Sequence, residues 1–474
     1  MVRRRVGVVL AVLATTTGMA ACSSSGSAKK ASAPNILFIL TDDERWDSLG
    51  QFAFVNGRTD WTRFQNMFIN DPQCCPSRSS ILSGQDTRHT GVETLLQGKK
   101  FDESKTIATM LHDQGYRTAL FGKYLNNYPF GRGTYIPPGW DGWHSFSGPA
   151  GYFDYKLNDQ GKLVKFGTDP TDYSSDVFTR KAINFISRTP SDKPFFVYLA
   201  YFAPHREAAG DPTPAPRDKG KCKGQTFPHL PSYNQVDKVE TVPWMSAAKP
   251  QSDADIARQM QATCETLHGV DTGVKQLFDL LSRTHRLDNT IVIFTSDNGY
   301  GFGEHRMTGK GDLYDESIRV PLLVRGPGIT PHTTTDMTSN IDLAPTILDF
   351  AHVKAPSHFF DGVSFAPSAE GTGHTTRTEV LLRGCRTKRP KGGPVEEEDP
   401  SGALGNACGG YTEGMGKNWG LRTDRYKYVE NTDGSRQLFD LVADPNELRN
   451  LAHDPKSASV VADFHSRLTK LERG

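Results

Sequence analysis

The sequence predicts an α/β protein: a central sheet covered on both faces by helices, followed by a smaller C-terminal α+β subdomain. Three observations predict it. Nearly continuous apolar runs at Asn35–Leu40, Phe195–Tyr201, Thr290–Thr295 and Val320–Arg325 read as strands buried on both faces, as in a parallel sheet. Helical patterns lie between these runs, and strands alternating with helices argue for a sheet covered on both sides. From about Trp419 the character changes: short polar strands at Arg425–Glu430 and Gln437–Asp440 precede an amphipathic helix near Ser457–Leu471.

The helical elements follow from spacing. Ile256, Met260, Leu267, Val270, Val274, Leu277 and Leu281 recur at intervals that place them on one face of a long helix. A second helix is expected over Lys105–Gln114, stopped by Gly115. Two stretches rich in Pro, Gly and charge, Glu207–Gly224 and Lys388–Gly402, read as surface loops and not as linkers between domains.

The N-terminus has a separate logic. Arg3, Arg4 and Arg5 precede an apolar run from Val6 to Ala14, then small residues lead to Cys22, the pattern of a secretory leader. The run is short of the roughly 20 apolar residues that a spanning helix needs. Met19-Ala20-Ala21-Cys22 resembles a bacterial lipobox, with Met where Leu is usual, which would make Cys22 the lipid-modified first residue of the mature chain. The alternative is cleavage nearby and simple secretion. The expected organisation is a leader over 1–21, a polar tether over 22–34, a catalytic domain over 35–370 and a C-terminal subdomain over 371–474.

Composition bounds the function only loosely. With 36% hydrophobic and 23% charged residues, the 474-residue chain has the make-up of a folded soluble protein. A net charge of +1 gives no overall attraction to nucleic acid or an anionic membrane, so any anion site must be built from local basic groups. Export would place the cysteines in an oxidising setting. Cys74 and Cys75 are neighbours, a spacing that strains a bridge. Cys222, Cys264, Cys385 and Cys408 allow three pairings, of which Cys385–Cys408 with Cys222–Cys264 is the expected one.

The chemistry concentrates in Cys74-Cys75-Pro76-Ser77-Arg78-Ser79-Ser80-Ile81-Leu82-Ser83-Gly84. Pro76 suits the first turn of a helix, which puts Cys74 near unpaired backbone N–H groups and the positive end of the helix dipole. Arg78 adds a permanently charged fork. Thr41-Asp42-Asp43 ends the first strand and Ser296-Asp297-Asn298-Gly299 ends the strand at 290–295, where α/β sheets gather their sites. Three carboxylates and an amide are hard oxygen donors, suited to calcium or magnesium and not to zinc.

These motifs together resemble the sulfatase family. Cys-x-Pro-Ser-Arg followed by Leu-Ser-Gly is its signature, departing only at Gln85, where a basic residue is common. The resemblance implies conversion of Cys74, and not Cys75, to formylglycine by a formylglycine-generating enzyme, with a hydrated aldehyde as nucleophile. It implies a calcium site (magnesium as the other candidate) formed by Asp42, Asp43, Asp297 and Asn298 with the modified Cys74. It also implies Lys123 in Phe-Gly-Lys-Tyr, His205 in Ala-Pro-His and Lys310 in Thr-Gly-Lys as sulfate contacts. Leu125 and Asn126 follow Tyr124 where many relatives carry a histidine. That run, the doubled cysteine and Val320–Gly328 look like the N-acetylglucosamine-6-sulfatase branch. Segments at Asn340–Leu348, Leu421–Tyr428 and Leu438–Leu441 extend the likeness over about residues 35–451. The implied fold is that of alkaline phosphatase, a large central mixed sheet flanked by helices with a smaller C-terminal subdomain.

The expected reaction is covalent hydrolysis of a sulfate ester, from a small molecule or a carbohydrate. Cations at Lys123, His205 and Lys310 would neutralise developing charge, with either His205 or Lys310 as the general acid. A phosphoester or phosphonate hydrolase of the same superfamily would use the same site. A non-catalytic surface binding protein would be expected to have lost a site residue, and none is lost. No nucleic-acid partner is expected, and the membrane would be met only through the lipid on Cys22.

Overall fold

The computed structural model describes residues 33–473 apart from 208–209, 228, 236–247 and 386–416, together with Gly7. The expected leader, Cys22, the tether before Ala33, the loop at 388–402 and Cys408 lie outside these residues, Gly7 excepted. The framework is a ten-stranded mixed sheet. In chain order its strands are β1 (Asn35–Thr41), β2 (Thr62–Phe68), β3 (Arg117–Gly122), β4 (Gly142–Phe146), β5 (Lys156–Asp159), β6 (Lys162–Lys165), β7 (Phe195–Ala200), β8 (Thr290–Ser296), β11 (Arg319–Arg325) and β12 (Thr333–Ser339). A separate two-residue ribbon pairs β9 (Gly301–Phe302) with β10 (Thr308–Gly309). The spatial order is β12-β2-β11-β8-β1-β7-β3-β4-β5-β6.

The apolar runs are continuous because both faces of these strands are covered. Along β1, Ile36, Phe38 and Leu40 enter one core with Phe196, Tyr198, Ile293 and Ile81, while Leu37 and Ile39 enter the other with Val197, Phe294 and Val270. Side chains alternate across a strand, so only a strand buried on both sides needs every position apolar. Helices Cys74–Ser83, Ile107–Asp113 and Leu343–Phe350 contribute to the first core; Ser174–Arg188 and Asp253–Arg283 contribute to the second.

Element boundaries match the sequence reading within a few residues. The long helix runs over Asp253–Arg283 behind a Ser252 cap, and all seven residues of the expected face are buried. The helix expected at 105–114 spans Ile107–Asp113, opened by a Thr106–Thr109 capping box. The run at 320–325, which shares the apolar pattern of the parallel strands, is antiparallel to both β8 and β2, so the sheet is mixed, as the family resemblance implied. An apolar pattern carries no information about strand direction.

A four-stranded antiparallel sheet follows: β13 (Glu379–Cys385), β14 (Lys417–Thr423), β15 (Tyr426–Asn431) and β16 (Arg436–Asp440). The helix Ala458–Arg473 packs on it through Val461, Phe464 and Leu468. The segment read as a surface loop at 207–224 is tied down more than expected. Cys222 is bonded to Cys264 of the long helix, the pairing expected, and Ala215 and Asp218 are fully buried. The companion pairing involves Cys408, outside the described residues. Among the described residues no helix is long and apolar enough to cross a membrane.

Candidate active site

The site lies at the carboxyl ends of the central parallel strands. Thr41 of β1 pairs in register with Ser296 of β8, so Asp42–Asp43 and Asp297–Asn298 leave the sheet side by side. The Asp297 N–H donates to Thr41 O at 3.1 Å. Asp43 has φ 67°, a left-handed conformation that Asp tolerates better than most residues, and this turns the chain sharply after the strand. Its carboxylate accepts from Asn298 Nδ2 at 2.6 Å.

Lys123 follows β3 because Gly122 permits a close crossing. Gly122 has φ 113°, and a Cβ there would lie 1.7 Å from Ala200 O of β7, so only glycine lets the two strand ends approach. His205 follows β7 on the neighbouring connection. Lys310 follows β10. Cys74 is the first residue of the helix Cys74–Ser83, whose residues are all buried. Gly84 ends this helix at φ 69°, with its Cβ position 2.5 Å from the Phe360 ring, so the last residue of the cysteine motif is also dictated by space.

The expected residues converge. Lys310 Nζ lies 2.7 Å from Cys74 Sγ and 2.5 Å from Asp43 Oδ1. Lys123 Nζ lies 3.4 Å from the same sulfur and 2.8 Å from Asp42 Oδ2. The Cys74 thiol donates to Asp42 Oδ1 at 3.3 Å. His205 Nε2 is 3.5 Å from Asp43 Oδ2. Arg78, fully buried, bonds Asp297 through Nε at 2.7 Å, approaches Asp42 at 3.1 Å and donates to Lys123 O at 2.7 Å. These contacts, to the two carboxylates and the lysine backbone, make it a positioning group in this geometry.

Electrostatics follow from burial and sign. Burial would raise Asp42, but Lys123, His205, Arg78 and Lys310 outweigh it and hold the carboxyl well below its ordinary range. Burial pushes Asp297 up to about 6, and the neighbouring Asp42 adds to the rise that Arg78 opposes. Of this coupled pair Asp42, faced by four cationic groups, is the one that holds its charge. Burial and Asp42 push the Cys74 thiol well above its usual value despite the two lysines. A thiol held protonated is a poor nucleophile as cysteine.

This cluster could hold a metal ion. Ligand atoms of Asp42, Asp43, Cys74 and His205 all lie within 4.8 Å of one another. Asp43 Oδ2 and Asn298 Oδ1 are buried acceptors with no hydrogen-bond donor. Such atoms are costly unless something positive meets them.

Several supporting residues were not singled out from the sequence. Ser77 donates to Asp297 O at 2.5 Å and accepts from Asn340 Nδ2 at 3.1 Å, bracing the turn after β8 against the cysteine helix. Ser296 Oγ accepts from the Glu44 N–H at 3.0 Å and donates to Asn298 O at 2.9 Å. Tyr152 donates to His205 O at 2.8 Å, and Phe202 stacks on the imidazole at 4.9 Å. Ser77 falls inside the cysteine motif and could have been singled out there; Tyr152 reaches the site from 53 positions away.

A family model described as Sulfatase matches residues 34–353, more than half of the chain. The chain belongs to the sulfatase family. A second model, N-sulphoglucosamine sulphohydrolase C-terminal, matches residues 411–474 of this sulfatase. N-acetylglucosamine-6-sulfatase of Capra hircus is 31% identical over 466 residues, 90% of this chain and 81% of that protein. An extracellular sulfatase homologue of Caenorhabditis elegans is 34% identical over 347 residues, 68% of this chain. The chain spans 47% of that relative's length. A solved structure bound to its substrate D-glucosamine-2-N,6-O-disulfate has the same fold, with TM-score 0.75, 23% identity and 93% and 98% of the two chains covered.

Proposed function

We propose that this sulfatase hydrolyses sulfate esters of carbohydrates, using formylglycine made from Cys74 and a divalent cation, with calcium the preferred ion. The observation that supports this most directly is the setting of Cys74 at a helix N-terminus, with Lys310, Lys123 and Asp42 at 2.7, 3.4 and 3.3 Å from its sulfur. Asp42, Asp43, Asp297 and Asn298 would hold the cation, whose Lewis acidity would polarise the ester and the nucleophile. Formylglycine would supply a hydrated aldehyde, whose second hydroxyl offers a release route for sulfate that serine lacks.

The chain's own groups have separable tasks. Lys123 and Lys310 place fixed positive charge where the non-bridging oxygens of a sulfate would meet Cys74. Arg78 orients Asp42 and Asp297 and compensates their charge. His205 Nδ1 donates to Arg206 O at 2.5 Å, because a carbonyl can only accept, and Nε2, 3.5 Å from Asp43 Oδ2, is the nitrogen on the side of the reacting groups.

Export, with lipid attached to Cys22, is part of the same proposal, as is maturation by a formylglycine-generating enzyme. The test is a paired assay. Protein from a host that carries out the maturation should release sulfate from 4-nitrophenyl sulfate and N-acetylglucosamine 6-sulfate, and Cys74→Ala should not. Faster turnover of a phenyl phosphonate monoester than of either sulfate would favour the phosphonate hydrolase reading; ester binding without turnover would favour a binding protein.

A further inference from the structure

A cavity of about 100 Å3 opens beside the metal-ligand turn, with Asp43, Asp47, Gln51, Pro204, Phe227 and Met260 among its walls. It adjoins the reacting centre without sharing its cations. Asp43 belongs to the proposed ligand set and Pro204 immediately precedes His205, whereas Cys74, Lys123 and Lys310 do not line it. Through Asp43 and Pro204 the cavity borders the reacting centre, so another part of the same substrate can reach it.

The chemistry of the walls is selective. Arg45 also lines the cavity, but its guanidinium is committed: Nη1 donates to Glu304 at 2.6 Å, and Nε and Nη2 donate to Asp47 at 2.6 and 2.8 Å. Arg45 is thus shared by two carboxylates, Asp47 and Glu304, which leaves that trio net acidic at the wall. Gln51 Oε1 is a buried acceptor with no hydrogen bond, suited to a hydroxyl or an ammonium. Phe227 and Met260 add apolar surface for a carbon skeleton.

We propose that this cavity receives the part of the alcohol next to the scissile ester, accepting a neutral or ammonium-bearing sugar and rejecting a second anionic group. The inference rests on the sulfatase reading and narrows its substrate class. Discrimination arises because an anion would meet like charge and an orphaned acceptor, with no uncommitted guanidinium to receive it.

The test varies charge at one position of one ring. Sulfate release is measured from the 6-sulfates of N-acetylglucosamine, glucosamine and N-sulfoglucosamine, with wild type, Asp47→Asn and Met260→Trp. Wild type should turn over the N-sulfo ester at least about tenfold less efficiently, in kcat/KM, than the other two, as like-charge repulsion in a confined site implies. Asp47→Asn should narrow that gap by about threefold or more, and Met260→Trp, which fills the cavity, should raise KM for the N-acetyl ester more than it lowers kcat. Equal wild-type efficiency on all three esters, or ratios unmoved in both variants, would overturn the proposal. Calorimetry with the desulfated N-acetylglucosamine and N-sulfoglucosamine reads the cavity without turnover. Tighter binding of the former by wild type, lost in Met260→Trp, supports it, and equal binding overturns it. A wild type that releases sulfate from no ester would instead overturn the sulfatase reading, and the calorimetry would still decide the cavity.

Discussion

Arg78 and Asp297 form a fully buried ion pair, Nε to Oδ2 at 2.7 Å, and the same guanidinium reaches Asp42 at 3.1 Å. One side chain on the cysteine helix thus spans the turns after β1 and β8. Its fork geometry is what lets it meet two carboxylates and a backbone carbonyl together.

Arg78→Met should therefore be costly. It removes the bonded cation of Asp297 and one of the four cations that face Asp42, and breaking a buried pair in this way typically costs about 3–5 kcal/mol. Arg78→Lys should recover only part of this, because an ammonium cannot fork. Denaturant melts check it: a loss below about 1 kcal/mol for Arg78→Met would mean that the carboxylates are neutralised by other groups.

The doubled cysteine gives the second prediction. Cys74 lies against Lys123, Lys310 and Asp42, while burial of Cys75 pushes its thiol up to about 12 with none of these as a bonded partner. Peptide mass spectrometry of active, host-matured protein should place the aldehyde on residue 74 alone. Cys75→Ala should keep much of the activity that Cys74→Ala abolishes. Active protein with an unmodified thiol at 74 would remove formylglycine from the mechanism.

The clustering of Asp42 and Asp43 with Asp297 and Asn298 was legible in the sequence for a structural reason. The apolar runs of β1 and β8 end at Thr41 and Ser296, so the polar residues that follow had to lie at the sheet's edge, and register brings them together. The cysteine motif was legible because Pro76 and Gly84 mark the start and end of a helix. Other features left no local trace. β2 and β12 are partly exposed and mixed in pattern, and the direction of β11 depends on its neighbours. β13 adjoins a segment rich in charge, glycine and proline that hides the strand pattern of Val380–Leu382. Phe202 under His205 and Phe360 against Gly84 are tertiary contacts that no spacing rule predicts.

Removal of the cation should affect stability as well as rate. A ligand that binds only the folded chain adds stability that grows with its concentration, about 2.7 kcal/mol at one hundred times its dissociation constant. Chelation should lower the melting temperature, and calcium should restore it. Asp297→Ala should weaken that calcium response and abolish turnover. A melting temperature indifferent to chelator and calcium, with full activity, would exclude a resident cation.

Asp71 predicts a dependence on pH away from the ligand set. It is buried, its Oδ1 lacks a donor, and burial together with Asp86 and Glu93 raises its carboxyl well above the ordinary value, against Arg383 and Lys417. A carboxyl raised on folding binds its proton more tightly in the native state. Its contribution is complete below the unfolded pKa and is lost as pH rises through the folded one. Asp71→Asn should thus match wild type near pH 4 and exceed it at pH 8, on the order of 1 kcal/mol. A stability difference that does not change between those pH values would show that Asp71 does not titrate in this way.

The last prediction separates the cations that surround Cys74. Lys310 Nζ touches both the thiol and Asp43, Lys123 Nζ touches the thiol and Asp42, and His205 Nε2 faces Asp43 from the other side. Charge placed there acts mainly as negative charge builds in the transition state. Each alanine variant should lose turnover far more than ground-state affinity, by about 10²- to 10³-fold if it resembles loss of one oxyanion-hole donor. The three losses should then split with the leaving group. A sugar alcohol needs a proton as it departs and an activated phenol does not. His205 donates Nδ1–H to a carbonyl, so it can deliver a proton from Nε2 only as imidazolium. Lys310 would donate directly as an ammonium. If Lys310→Ala hurts N-acetylglucosamine 6-sulfate much more than 4-nitrophenyl sulfate while His205→Ala hurts both alike, Lys310 is the acid. The opposite pattern assigns the proton to His205. Wild-type rates in all three variants on both esters would remove these residues from the sulfate pocket.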